Sequence, residues 1–408
     1  MPANPSTSPA ESQRLTSLDA LRGFDMFWIL GADSFVYALH ETSHNPVTEF
    51  FATQLDHAEW RGFHFYDLIF PLFVFIMGIS TVFSLEKIIA REGRAAAVKR
   101  VLKRGILLFI VALIYSGGMT NPWPDMRLMG VLNRIALCYT FGGLLYIFCN
   151  WRVMIAVAVA LLLGYWALLE LVPFPDVRPT PGGTTVITRE HFTNVSQLNL
   201  ASTNLLRGSY IQGVNLTDYL DQKYLPARKY DGTYDPEGLL STLPACATGL
   251  LGIFTGLFLR NQSVPDMKKV LYLLGAGAAS AAIGWLWSLE MPVIKKIWTS
   301  SYVLVAGGYS AMLLGVFYWI VDVKKWQTWC QPFIWIGMNP ITLYLTSNFL
   351  GGLGFEKLAR RLAGGSVKNF FDAHVANGFG DLVISAVGVA LFLWFARFLY
   401  QRRIFLRF

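Results

Sequence analysis

The stretch Leu55-Asp56-His57-Ala58-Glu59-Trp60-Arg61-Gly62-Phe63-His64-Phe65-Tyr66-Asp67 runs without a break into Leu68-Ile69-Phe70-Pro71-Leu72-Phe73-Val74-Phe75-Ile76-Met77-Gly78-Ile79-Ser80. The second half is apolar and uncharged and reads as membrane-embedded. The first half sets histidines, acids and aromatic residues directly against it. Charge and unpaired polarity are costly at a membrane surface, so titratable groups placed there point to a function.

The rest of the chain carries the same signal. Of 408 residues, 54% are hydrophobic and only 15% charged, against about 25% charged in soluble domains. The apolar residues come in long blocks, which makes this an all-α polytopic membrane protein. The net charge of +8 is the mark of Lys and Arg in cytoplasmic loops rather than of nucleic-acid binding. Cys138, Cys149, Cys246 and Cys330 are far apart in or beside apolar segments, so they read as small buried hydrophobes and not as a metal site or disulfide framework. No phosphate-binding loop, dinucleotide fingerprint, zinc signature or nucleophile-elbow serine stands in a suitable context.

A spanning helix needs about 20 mostly apolar residues. About ten candidates begin near Leu18, Asp67, Leu102, Leu128, Val153, Leu239, Val270, Tyr302, Phe333 and Asp381. The densest basic cluster (Lys87, Arg91, Arg94, Lys99, Arg100, Lys103, Arg104) lies between the second and third candidates and reads as cytoplasmic. Lys268 with Lys269, Lys324 with Lys325, and Arg402 with Arg403 agree with it. The expectation is an even number of helices with both termini inside a bacterial cytoplasmic membrane. Lys295 with Lys296, and the stretch from Lys357 to Lys368, run against it. His57 then falls in the first external loop. Residues 173–238 form a long polar extracytoplasmic insertion between helices 5 and 6. Residues 1–16 are polar, resemble no cleavable signal peptide and are expected to be disordered; residues 17–408 read as a single transmembrane domain. No internal repeat is visible, which argues against a transporter built from duplicated halves.

Several polar residues have both a structural and a functional reading. Asp19 and Arg22 share a helix face, either as an ion pair or with Arg22 holding an anionic ligand. Asp33 lies ~21 Å further along the first helix, as a cap or as a carboxylate that handles a proton. His57 is either an exposed loop residue or a base, with His64 as its competitor. Asp67 suits a helix N-terminus. Arg134 and Asn133, inside an apolar helix, require a buried partner or a wet cavity. Asp235-Pro236-Glu237-Gly238 forms a turn outside the sixth helix. Met338-Asn339-Pro340 breaks the ninth helix, an irregularity tolerated where it lines a cavity.

Taken together, the segments Ser17-Leu18-Asp19-Ala20-Leu21-Arg22-Gly23, His57-Ala58-Glu59-Trp60-Arg61-Gly62, Asp67-Leu68-Ile69-Phe70-Pro71, Phe75-Ile76-Met77-Gly78, Gly130-Val131-Leu132-Asn133-Arg134-Ile135, Asp235-Pro236-Glu237-Gly238 and Gly337-Met338-Asn339 resemble the heparan-α-glucosaminide N-acetyltransferase family of transmembrane acyltransferases. The resemblance implies transfer of acetyl from cytosolic acetyl-CoA to the amine of a terminal glucosamine across the membrane. It puts the active-site histidine on His57, and Asp33 where the family's lysosomal member has a catalytic asparagine. His57 is expected to be a general base, partnered by Asp33, or a transient acetyl acceptor. Arg22, Arg134 and Asn339 are expected to bind acetyl-CoA or line its cavity, and Trp60, Asp67, Asp235 and Glu237 to meet the sugar. No metal is expected. Beyond the two substrates and membrane lipid, the resemblance implies a homodimer. An amino-sugar transporter and an O-acyltransferase of a cell-envelope glycan are the competing readings.

Overall fold

The computed structural model describes residues 15–180, 186–350 and 354–405. Most of the segment 1–16 therefore lies outside the described residues. The chain is mostly helical. Among the described residues, seven helices are long and apolar enough to cross a membrane.

The first helical stretch is broken. Helix α1 (Thr16–Phe27) passes through a π-turn at Trp28–Ala32 into α2 (Asp33–Ser43). Gly31 takes φ 116° there, a conformation that penalises any Cβ. The turn sets Asp33 at the head of a new helix. The short helix α3 (Pro46–Gln54) follows, capped by Asn45.

Helix α4 (Phe65–Tyr115) spans 51 residues but folds back on itself at Gly93, φ 84° and ψ 175°. Leu85 and Val101, on opposite arms, both pack beside Gly143. Along a straight helix those two residues would stand ~24 Å apart. The arms therefore form a hairpin, and the basic cluster sits around its bend. Helices α5 (Val131–Phe148) and α6 (Trp151–Leu171) lead into the insertion. The insertion carries a minimal antiparallel pair, β1 (Phe174–Pro175) with β2 (Leu205–Leu206), and the helix α7 (Leu216–Tyr224).

The bundle continues through α8 (Thr242–Arg260), α9 (Asp266–Trp287) and α10 (Ser300–Phe317). A second broken helical stretch follows, α11 (Gln331–Gly337) and α12 (Pro340–Phe349), parted at Met338 and Asn339. Helix α13 (Gly354–His374) bends at Gly364, and α14 (Phe379–Gln401) closes the fold. The basic stretch from Lys357 to Lys368 is partly neutralised: Arg360 pairs with Glu356 and Asp381, and Lys368 with Asp372 and Asp381.

Helices cross where side chains are absent. A Cβ on Gly252 of α8 would fall 2.0 Å from the Phe75 carbonyl oxygen, and one on Gly78 2.2 Å from that of Gly249. Backbones in contact gain van der Waals packing, which drives helix association in lipid. The central core includes Leu21, Phe75, Cys138, Trp298, Tyr302 and Ile334.

Four connecting segments converge on one end of the bundle. The Gly62 amide donates to the Val293 carbonyl at 2.9 Å, and the Arg228 amide to that of Met126 at 3.1 Å. The Trp60 indole donates to the Tyr210 carbonyl at 2.7 Å. The insertion and the α9–α10 loop share a core of Phe174, Tyr210, Val214, Tyr219, Met291, Ile294 and Ile297 against Tyr165 and Leu169. The insertion is thus a cap on the bundle, not a free loop.

Candidate active site

Beneath this cap lies a cavity of about 490 Å³, within the usual range for small-molecule sites. His57, Trp60, Tyr66, Asp67, Arg127, Tyr230, Glu237, Lys295, Lys296 and Trp298 line its outer part; Met26, Phe73, Pro340 and Tyr344 line its inner part.

The sequence fixes the His57–Asp67 geometry locally. Asp67 is the third residue of α4, and its Oδ2 accepts the amides of His64 at 3.0 Å and Ala58 at 3.2 Å. The carboxylate thereby caps the helix and ties down the loop that carries His57. Its other oxygen, Oδ1, lies 2.9 Å from His57 Nδ1. Asp67 is almost fully buried, whereas the His57 side chain is 49% exposed. A proton on Nδ1 donated to this carboxylate leaves Nε2 free as the basic nitrogen, the arrangement a general base requires.

Four residues beyond Asp67, Pro71 has no amide to give to the Asp67 carbonyl. The Tyr302 hydroxyl of α10 donates to that carbonyl instead, at 2.8 Å.

Lys295 completes the cluster. Its Nζ lies 2.9 Å from His57 Nδ1, 3.2 Å from Nε2 and 3.4 Å from Asp67 Oδ1. Burial holds the Lys295 ammonium below the ordinary lysine value, while Asp67 pulls it the other way.

Asp33 stands one side chain away. Its Oδ2 accepts the Tyr66 hydroxyl at 2.9 Å, and the Tyr66 ring lies 4.9 Å from that of His57. The carboxylate bonded to His57 is therefore Asp67 rather than the expected Asp33. The reason is local: Asp67 reaches His57 by capping its own helix, while the π-turn at Gly31 directs Asp33 to Tyr66. The His64 ring turns to the Asp56 carbonyl at 3.1 Å.

The cap contributes a charged wall. Arg127 donates from Nε and Nη2 to the two oxygens of Asp235, at 2.9 and 2.7 Å, and from Nη2 to Glu237 at 2.5 Å. It also lies over the Tyr230 ring, 4.7 Å from the centroid. Burial works against the Arg127 charge, but the bonds to Asp235 and Glu237 outweigh it and raise its pKa. Burial pushes the Glu237 carboxyl up, with Asp235 adding to the effect and Arg127 opposing it. Asp235 is thus a partner of Arg127, while Glu237 itself lines the cavity.

The residues expected to hold acetyl-CoA stand behind the lining of this cavity. Arg134 is fully buried below the cavity wall, 4.9 Å from the Trp298 ring, and its Nη2 donates to Ser241 at 2.5 Å. Its Nε and Nη1 meet no hydrogen-bond partner among the described residues. Arg22 meets Asp19, Ser80 and the Gly337 carbonyl. It lies one helical turn from Met26 at the inner end of the cavity. Asn339 is buried, and neither atom of its amide finds a partner among the described residues.

The sequence model of heparan-alpha-glucosaminide N-acetyltransferase, catalytic, matches residues 14–193. Over that stretch the chain is similar to the heparan-alpha-glucosaminide N-acetyltransferase family. The human protein named heparan-alpha-glucosaminide N-acetyltransferase is 28% identical over 334 residues, covering 71% of this chain and 48% of the human one. The mouse protein of the same name is 26% identical over 404 residues, covering 86% and 56%. The chain thus spans about half the length of the curated relatives it matches. The stretch matched to the family holds Arg22, Asp33, His57, Trp60, Asp67, Arg127 and Arg134, and leaves out Glu237, Lys295 and Asn339.

Arg127, Lys295, Lys296 and Tyr230 escaped sequence reasoning. One signal was present: the Lys295-Lys296 pair contradicts the basic-loop rule, and a lysine on the wrong side needs a local reason. Arg127 gave none, because its acids lie more than 100 residues away. Among the described residues, no group of three His, Cys, Asp or Glu side chains comes together to hold a metal ion.

Proposed function

We propose that the protein is a membrane acetyltransferase that moves an acetyl group from acetyl-CoA to the amine of glucosamine or of a terminal glucosaminide. The His57–Asp67 pair opening on a capped cavity is the observation that carries this reading. A glucosamine amine is mostly protonated near neutral pH, and it must lose that proton before it can attack a thioester. His57 Nε2 takes the proton while Asp67 holds the ring by Nδ1 and stabilises the imidazolium that forms. Trp60 and Tyr230 offer flat apolar faces to a sugar ring, and Glu237 is an acceptor for its hydroxyls. Direct transfer needs one cavity that admits both substrates, and the single space joining His57 to Pro340 and Tyr344 favours it over a separate acetyl-histidine step.

In this reading the cap end faces out. The two arms of α4, five further long helices (α5, α6, α8, α9 and α10) and the two broken passes make nine crossings, and α14 adds a tenth that leaves both chain ends on the cytoplasmic side, in keeping with about ten spanning segments. Acetyl-CoA enters from the opposite end, where Arg22 and the unsatisfied Asn339 amide lie a turn below the cavity floor and the basic bend of α4 offers charge for its phosphates.

Sealed vesicles of known orientation test the arrangement. Glucosamine supplied on the cap side and acetyl-CoA on the other should give N-acetylglucosamine on the cap side. Product only when both substrates share one side would contradict transfer across the membrane. Uptake of labelled N-acetylglucosamine without acetyl-CoA would favour a transporter.

A further inference from the structure

We propose that Lys295 is a catalytic residue of this site, whose ammonium meets the negative charge that develops on the acyl oxygen while His57 takes up the acceptor's proton. This rests on the acetyltransferase reading above and assigns a role to a residue outside the stretch matched to the family.

Geometry carries the inference. Nζ lies 3.2 Å from His57 Nε2, the place an acceptor nitrogen must occupy to give up its proton. An arriving acceptor therefore displaces Nζ from the ring. Asp67 Oδ1, 3.4 Å away, keeps it beside the reacting atoms. Once His57 is protonated, two cations share the cluster around Asp67, and repulsion drives the ammonium toward any new negative charge. Cation delivery is thus coupled to proton uptake. Donors aimed at charge that exists only in the transition state are the interactions that accelerate a reaction.

The backbone around Lys295 is built to hold it. Its carbonyl accepts the Trp298 amide at 2.9 Å, and Trp298 sits at φ 52°, a left-handed conformation that is strained for a tryptophan. Ile294 and Ile297 are fully buried in the cap core, and the Ile294 amide donates to Thr299 Oγ1 at 3.1 Å. The Lys295 side chain is only 21% exposed. The charged groups facing it are Asp67 and His57 on the α4 side, Glu237 on the cap and Lys296 on its own loop.

The step balances within these groups and solvent. His57 first passes the ammonium proton of the acceptor on to solvent; the neutral amine nitrogen then forms its bond to the thioester carbon, and the second proton it sheds passes to His57. The carbonyl electron pair moves onto oxygen, where Lys295 donates a hydrogen bond. That pair then re-forms the carbonyl as the carbon–sulfur bond breaks. The sulfur leaves with the bonding electrons and takes the proton from His57, giving free CoA and the amide.

The test compares purified wild type, Lys295→Met and Lys295→Arg with acetyl-CoA and glucosamine, across pH. Lys295→Met should lower kcat by about 100-fold and change either KM by less than about threefold. Wild-type kcat should fall on the alkaline side, below the ordinary lysine value near 10.5. Lys295→Arg should keep part of the activity and move that limb to higher pH, because a guanidinium stays charged. A purely structural lysine would instead lower the melting temperature and raise KM. Wild-type kcat in Lys295→Met, a loss confined to KM, or an alkaline limb unmoved in Lys295→Arg each overturns the proposal. If Lys295→Met fails to fold, the Lys295→Arg limb decides. Wild type that transfers no acetyl group overturns the acetyltransferase reading and this role with it; active wild type beside an unimpaired Lys295→Met overturns this role alone.

Discussion

The Tyr302 hydroxyl donates to the Asp67 carbonyl at 2.8 Å, taking the helical acceptor that Pro71 leaves unpaired. A proline in the first turns of α4 and a tyrosine on α10 thus form one device, and it holds the main chain of the residue that positions His57. Tyr302→Phe leaves that buried carbonyl unsatisfied at a cost of about 1–3 kcal/mol. The expected result is a lower melting temperature in detergent and a modest loss of acetyl transfer. Unchanged stability would mean that another donor satisfies the carbonyl.

Asp67 and Asp33 make a discriminating pair of substitutions. Asp67→Asn keeps an acceptor for the helix cap but removes the charge beside His57. Acetyl transfer should fall by about 100-fold or more. Asp33→Asn, which acts through Tyr66, should cost no more than about tenfold. Steady-state rates of the two variants settle which carboxylate serves the histidine, and the reverse ranking would return that role to Asp33.

Arg127 joins α5's approach segment to the cap through two acids. Arg127→Met strands Asp235, whose side chain is fully buried, and breaking such a pair costs about 3–5 kcal/mol. Limited proteolysis should cut the cap of this variant sooner than that of wild type, and KM for glucosamine should rise. Arg127→Lys should recover only part of both, since an ammonium cannot reproduce the two-pronged contact.

The cap should also respond to pH. Burial raises the Asp221 carboxyl to about 7; Oδ1 accepts the Leu239 amide at 2.8 Å, while Oδ2 is buried without a partner among the described residues. The unfolded chain releases this proton near pH 4, whereas the folded cap keeps it until about 7. Asp221 therefore destabilises the cap progressively as pH rises from about 4 to about 7, by at most about 4 kcal/mol, and the penalty is constant above that. Proteolysis of the cap measured between pH 5 and 8 should show wild type becoming more susceptible as pH rises and Asp221→Asn much less so. Parallel profiles would assign the effect elsewhere.

Much of the scaffold was legible because spanning helices announce themselves through long apolar blocks. The basic cluster at Lys87 to Arg104 marked the bend between the two arms of α4. The sequence could not show that Gly93 makes this bend inside one nearly continuous helix, since a glycine reveals its left-handed φ only in the fold. His57, Trp60 and Asp67 stood out because their chemistry is compressed into a short segment. Lys295 did not, because its meaning depends on a residue 238 positions away. The preference for Asp33 over Asp67 followed from the resemblance, which puts Asp33 at a catalytic position, while Asp67 read as a helix cap and a contact to the sugar. One of its oxygens does cap the helix, and the other faces His57.

The central claim is that His57 accepts the proton of the acceptor amine. Release of free CoA from acetyl-CoA on addition of glucosamine, followed for purified wild type and His57→Ala, tests it most directly. Wild type should release CoA only when glucosamine is present, and His57→Ala should do so at no more than about a hundredth of that rate. Equal release by the two proteins would contradict the account.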